Sequence, residues 1–269
     1  MNTENRASAF EVKIKFEITI GRFLIKTITT IEELQQAFLL RYQVFQVEMI
    51  GSERLTGVDQ DEFDRLSDHL AIFDSKTKQM IATCRLNCSL FSNRFYSEQE
   101  FNCGALIERP ETKLEIGRVC VHRDFRKGIV IMLLWRAIAE YMGKTETRFL
   151  FGCGSVATLE AREAVLIYRY LEEQGKIRST FNITPTERFK SADFENNLLL
   201  THSPLADKER AIAESLLPSL CRSYFDIGCY APGAPAFDYD FKCIDFLTIL
   251  DVNELDPKVR RKMLGSISS

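Results

Sequence analysis

One stretch constrains this chain more than any other: LEIGRVCVHRDFRKG, residues 114–128, running straight into IVIMLLWRAIAEYM. Leu114, Ile116, Val119 and Val121 are β-formers, Asp124 to Gly128 supply a turn, and the apolar run from Ile129 supplies a helix. An ideal strand alternates faces, so Glu115 and Arg118, three apart, belong on opposite sides of it. A charge in a core strand is costly unless it is paired or faces an opening. Gly117 offers a resolution, because a glycine inside a strand often marks a bulge, and a bulge shifts the pleat by one residue. Glu115 and Arg118 would then face one side together. An edge strand carrying two solvated charges explains the spacing equally well.

The remaining sequence builds a sheet and helices around that strand. Strict alternation over 10–20, from Phe10 onward, predicts a half-buried strand that extends the N-terminus, and 23–28 reads as a second strand. Thr30 with Glu33 makes a capping box that opens a helix over 31–49. An acidic loop follows, then strands over 70–73 and 80–86 separated by the turn-like DSKTKQ. Beyond 114–121 the pattern predicts a helix at 129–142, a strand at 149–152, helices at 157–173 and 208–220, and a final strand at 244–250. Strands alternating with helices after an initial run of strands predict an α/β fold, a single domain with a mixed sheet covered by helices on both faces. Residues 176–206 are the most irregular and read as an insertion or lid.

Composition excludes several classes. With a net charge of −3 over 269 residues, no global basic field points to nucleic acid. The apolar run at 129–135 is too short to span a bilayer, and MNTENRASAFEVKIKF has no apolar signal region, so the expected location is cytoplasmic. Eight cysteines without a C-x-x-C pair read as buried free thiols rather than a metal site or a disulfide framework. Cys120 and His122, two apart, would suit a thiol with an adjacent base, but nothing nearby orients His122 and Cys120 lies in an apolar run. His69 reads as structural, and His202 falls in the irregular segment.

The strand–turn–helix of residues 114–142 resembles the centre of the GNAT-fold N-acyltransferases, the branch that takes acyl groups from acyl carrier protein. RYQVFQVEM (41–49), DEFDRLSDHL (61–70), ATCRLN (82–87) and APGAPAFDYDFKCIDFLTILD (231–251) fit the same pattern in order. Together they resemble the ornithine Nα-acyltransferases that make lyso-ornithine lipid, and more sparsely the acyl-homoserine-lactone synthases. The likeness covers most of residues 22–260. It implies a GNAT-like three-layer α-β-α fold, catalytic roles for Glu115 and Arg118, and substrate-binding roles for Arg41, Phe45, Asp61, Asp64 and Arg85. Without that pattern, Asp61 and Asp64 read as a solvated acidic loop.

The sequence also departs from the pattern. GNAT proteins that use acetyl-CoA carry a loop like R-G-x-G-x-G, whose N–H groups cradle a pyrophosphate at a helix N-terminus. Here RKGIV keeps Arg126 and Gly128 without the other glycines. An acyl carrier protein thioester, which presents a single phosphodiester, is therefore the implied donor, with no bound cofactor or metal. Arg123, Arg126, Lys127 and Gly128 are the residues implied to meet it. The implied acceptor is the α-amine of an amino acid, ornithine first, and the implied acyl chain is long, with or without a 3-hydroxyl. A signalling N-acyl amino acid or acyl-homoserine lactone is the alternative product, and a non-catalytic acyl-binding protein is the third reading. An amphiphilic product implies transient inner-membrane contact, for which the aromatic residues between Phe91 and Phe101 are candidates.

Overall fold

The computed structural model describes residues 11–51, 57–126, 128–201, 204–256, 258 and 261. Phe10, Lys127 and His202 lie outside the described residues. The chain divides into two compact units, one built from 1–93, 114–147 and 260–269, the other from 94–113 and 148–259.

The first unit is a run of antiparallel strands: β1 (Glu17–Ile20), β2 (Phe23–Thr27), β3 (Asp68–Asp74), β4 (Met80–Cys88) and β5 (Lys113–Val121). Two helices join them, α1 (Ile31–Arg41) and α2 (Val130–Lys144). Alternation on β3 decides what each face meets. His69 stacks edge-on against Phe38 of α1, and Ala71 shares a buried cluster with Ala37 and Leu40. Asp68 points the other way and accepts a hydrogen bond from Tyr141 of α2 at 2.9 Å. Helices thus cover both faces of this sheet, as the strand–helix pattern predicts. Helix α2 buries Val130, Leu133, Leu134, Ala137, Ile138, Tyr141 and Met142, one apolar stripe at helical spacing.

Three local expectations need correction. Strand β1 starts at Glu17, and residues 11–16 are not part of it, because the backbone N–H groups of Lys13 and Ile14 donate to the Asp68 carboxylate at 2.8 and 2.9 Å. Those donors are lost to a ladder, and the chain bends. The helix opened by Thr30, whose hydroxyl accepts the Glu33 N–H, is α-helical only to Arg41. From Tyr42 to Ile50 it widens into a π-helix, closed by Gly51 in a left-handed conformation with its N–H on the Gln46 carbonyl. The acids of the loop at 57–66 are not all solvated: Asp59 and Asp64 are buried, and half-buried Asp61 caps a short 3₁₀ turn at Glu62–Arg65.

In the second unit, β6 (Phe149–Val156) pairs antiparallel with β8 (Cys243–Asp251), and β7 (Ala236–Asp238) adds to the far edge of β8. One face, with Val156, Ile244 and Phe246, packs under α3 (Ala161–Glu173) and its neighbours α4 (Ala192–Leu200), α5 (Asp207–Leu216) and α6 (Ser219–Asp226). The other face buries Phe149, Phe151, Leu247 and Ile249 with Phe95 and Phe101. Helix α3 starts at Ala161 rather than 157, since the Thr158 hydroxyl accepts the Glu160 N–H at 3.0 Å. The helix expected at 208–220 is two helices, broken ahead of Ser219 by Pro218, which cannot donate a helical hydrogen bond. The irregular 176–206 stretch contains α4, whose Phe194 is 3% exposed in the core.

Candidate active site

The bulge forms in β5, one residue later than Gly117. Gly117 pairs with Arg85 and Cys120 with Thr83, so Arg118 and Val119 together oppose the single residue Cys84. Arg118 takes the left-handed backbone at φ +51°, the conformation a glycine usually supplies in such a bulge. Gly117 itself lies under the Arg85 guanidinium, where an added Cβ would sit 3.7 Å from Nη2.

Residues directly opposite across an antiparallel pair share a face. His69 opposes Arg85, Arg85 opposes Gly117, and Asn87 opposes Glu115, which puts Arg85, Asn87 and Glu115 on the α1 side of the sheet. The Arg118 side chain reaches Asp61, as Arg85 does. The bulge therefore does bring the acid and the base of this strand to one side. Glu115 is 3% exposed, which rules out the reading as a solvated edge-strand charge.

Three arginines meet three aspartates here. Arg41, at the end of α1, donates from Nε to Asp59 Oδ1 at 2.9 Å and from Nη1 to Asp64 Oδ1 at 2.7 Å, and its Nη2 reaches Asp64 Oδ2 at 3.2 Å. Arg85 donates to Asp61 and, at 3.1 Å, to Asp64. Arg118 donates from Nη2 to Asp61 Oδ2 at 2.9 Å, with its Nε 3.3 Å from Asp59 Oδ1. Burial alone would raise the Asp64 carboxyl, but Arg41 and Arg85 beside it hold it well below the usual carboxylate range. Burial pushes His69 down to about 4, against the pull of Asp64, so its ring is neutral at pH 7.

The remaining expected residues fall around this core. Phe45, on the π-helix, is half-buried against the cluster that includes Leu40 and Val44. Arg126 donates to Glu48 at 2.6 Å and to the Val121 carbonyl at 3.0 Å, tying the turn after β5 to the π-helix. Gly128 sits at φ +130° and Arg123 is largely exposed. Sequence reasoning missed Asp59, which accepts from Arg41 and approaches Arg118. Its only signal was its place in the acidic run VDQDEFD.

Cys120 is fully buried and burial pushes its thiol up to about 12, while His122 Nδ1 accepts the Asp124 N–H at 3.3 Å. A thiol in that state is not a nucleophile at neutral pH, and Cys120→Ser is expected to leave at least half of wild-type turnover in a steady-state assay. All eight cysteines are free thiols. Among the described residues one group has metal-ligand spacing, Glu100, Asp238 and Asp245 of the second unit, all buried. Burial and then the two aspartates raise the Glu100 carboxyl well above its ordinary value. Of the aromatic stretch proposed for membrane contact, Phe95 and Phe101 are 2% exposed and belong to the core, while Leu90 and Phe91 are exposed. Among the described residues no helix is long and apolar enough to cross a membrane.

Residues 40–136 match the acetyltransferase (GNAT) domain. The chain is 28% identical over 246 residues to the L-ornithine Nα-acyltransferase of Rhodobacter capsulatus, covering 85% of this chain and 90% of that protein. It is 27% identical over 241 residues to the L-ornithine Nα-acyltransferase of Rhizobium meliloti, covering 83% of this chain and 78% of the relative. In structure it resembles an N-acyl amino acid synthase from uncultured soil microbes, at a TM-score of 0.50 and 9% identity over 90% of this chain and 96% of that one. At that identity the last likeness speaks for the fold alone.

Proposed function

We propose that this chain, an acyltransferase of the GNAT fold, transfers a long fatty acyl group from an acyl carrier protein thioester to the α-amine of an amino acid, ornithine foremost. The observation that carries the reading is the bulge in β5, which sets buried Glu115 on the same side as a network of arginines. The similarity to two L-ornithine Nα-acyltransferases over more than four-fifths of the chain supports the acceptor.

The chemistry asks little more. An α-ammonium cannot attack until it loses a proton, and Glu115, directly or through one water, takes it. The amine nitrogen then bonds to the thioester carbon, whose oxygen becomes an oxyanion within reach of bulge N–H donors. Collapse breaks the carbon–sulfur bond. Of the three ammonium protons, one goes by way of Glu115 to solvent, one leaves on the departing thiol, and one stays on the amide. Arg118, whose side chain is 14% exposed against 1% and 2% for Arg41 and Arg85, is the arginine that a dissolved acceptor's carboxylate would meet. Arg41 and Arg85 hold the aspartates.

The donor follows from the shortened glycine loop. Carrier proteins are acidic, so docking would use Arg123 and neighbouring basic residues and would weaken with salt. Incubation with long-chain acyl carrier thioester and a mixture of amino acids, with products read by mass, should give an N-acyl amino acid, ornithine leading. Long-chain acyl carrier thioester should turn over at least tenfold faster than acetyl-CoA, an advantage that shrinks as ionic strength rises. Equal rates with acetyl-CoA would discard the donor assignment. The product is a single-chain amphiphile, and the exposed Leu90 and Phe91 are suited to brief contact with the inner-membrane surface.

A further inference from the structure

We propose that the outward face at the start of α2, centred on Ile129 and Met132, is the docking surface for the acyl carrier protein itself, beyond the residues that meet its thioester arm. The inference rests on the carrier reading above. Helix α2 is apolar on two sides at this end. Val130, Leu133 and Leu134 are 2–3% exposed and turn into the core. Ile129 and Met132 turn outward, at 45% and 63%, and among the described residues of the first unit no large apolar side chain is more exposed than Met132. Three positions apart on a helix, the two are neighbours on one face.

Scattered apolar side chains need no explanation, but this pair has a charged setting. Residues 123–136 carry Arg123, Arg126, Lys127 and Arg136 against the single acid Asp124, in a chain of net charge −3. Arg123 and Arg126 are exposed, and although Asp124 lies 3.9 Å from Arg123 and Glu48 accepts from Arg126, the local balance stays positive. An apolar centre holding methionine, with arginine around it, suits an acidic partner. Position narrows that partner to one. The turn ahead of α2, with Arg123, Arg126 and Gly128, is where the donor's phosphodiester is expected, and the phosphodiester ties the arm directly to the carrier's surface. The protein that bears the arm must then lie against whatever borders the turn. Ile129 follows Gly128 in the chain, and Met132 stands one helical turn further on.

The test compares two donors that carry the same long acyl chain, the acyl carrier thioester and the thioester of free phosphopantetheine, each with ornithine and the full-length protein. Met132→Glu should raise KM for the carrier thioester about tenfold or more, the size of an interface hot spot, with kcat within about threefold. KM for the phosphopantetheine thioester and for ornithine should stay at wild-type values, since neither reaches Met132. Met132→Lys, which removes the apolar tip and keeps the sign of the patch, should lose less than Met132→Glu. The side chain is exposed, so melts should match wild type. Should Met132→Glu fail to fold, Ile129→Ser carries the same comparison and the same outcomes decide. Equal losses with both donors, or an unchanged KM for the carrier, would each overturn the inference. So would a Met132→Glu protein that keeps a wild-type carrier KM but loses binding to anionic vesicles or changes its oligomeric state, since the patch would then serve a membrane or a second copy. Wild-type protein that works no better with the carrier thioester than with the phosphopantetheine thioester would defeat the carrier reading, and this inference with it. A carrier preference that survives Met132→Glu intact defeats this inference alone.

Discussion

Glu115→Gln should lower turnover about 10²–10⁴-fold, the usual contribution of a positioned acid–base group. Glutamine keeps the shape and loses the proton acceptor. Raising the pH should restore part of the rate, since more of the acceptor amine then arrives already deprotonated. Glu115 is 3% exposed, so the variant's fold must be measured and not assumed. An isosteric neutral residue keeps the packing, and the melting temperature should stay within a few degrees. If Glu115 were instead half of a structural ion pair, the substitution would strand a buried charge at a cost of about 3–5 kcal/mol and the melt would show it. Normal turnover by folded Glu115→Gln, with Cys120→Ser inactive, would move the chemistry to a covalent acyl-cysteine.

The Asp64 network should dominate stability in this unit. Asp64→Asn leaves Arg41 and Arg85, 1% and 2% exposed, without the carboxylate that both of them share. Breaking one partner out of a buried ionic network costs about 3–5 kcal/mol, or roughly 10 °C in a chain of this size. The pH dependence has a definite sign. The Asp64 carboxyl is held low in the folded protein, so its contribution is complete above about pH 4, the unfolded value, and is lost as the pH falls below it. His69 works at higher pH: held down to about 4 by burial, it stays neutral in the fold while the unfolded chain binds a proton below about 6.5. Acid should therefore destabilise wild-type protein in two legs, first between about pH 6.5 and 4 from His69, then below about 4 from Asp64. In Asp64→Asn the second leg should be the smaller for the missing carboxyl. Chemical denaturation across pH measures both, and a variant as stable as wild type at pH 7 would show that the network is not structural.

The bulge is only one of two equal readings of the acid–glycine–arginine spacing, the other being an edge strand with two solvated charges, and the burial of Glu115 decides between them. Which residue would bear the left-handed backbone could not be read. Glycine is the expected occupant, yet the register places Arg118 there, one residue on. Asp59 was hidden for a different reason. In sequence it is one acid among several in a run, and its burial depends on Arg41, eighteen positions earlier, and Arg118, far later. The change to π-helix at Tyr42 does not show in the apolar spacing, which reads as one helix through Met49. The false strand at 11–16 alternates correctly, but its amides are claimed by Asp68, a tertiary contact that no local pattern reports. Pro218 stands in plain view, yet the helix expected over 208–220 runs through it; the chain breaks there into two helices because proline cannot donate a helical hydrogen bond.

Acyl transfer to an α-amine leaves its mark in the linkage of the product. Wild-type protein would be given ornithine and a long-chain acyl carrier thioester, and the product fragmented in a mass spectrometer to locate the acyl group. The expected product carries one amide on the α-nitrogen, formed at least a hundredfold more slowly by Glu115→Gln. An acyl group on the side-chain nitrogen, or free fatty acid with no amide at all, would contradict it.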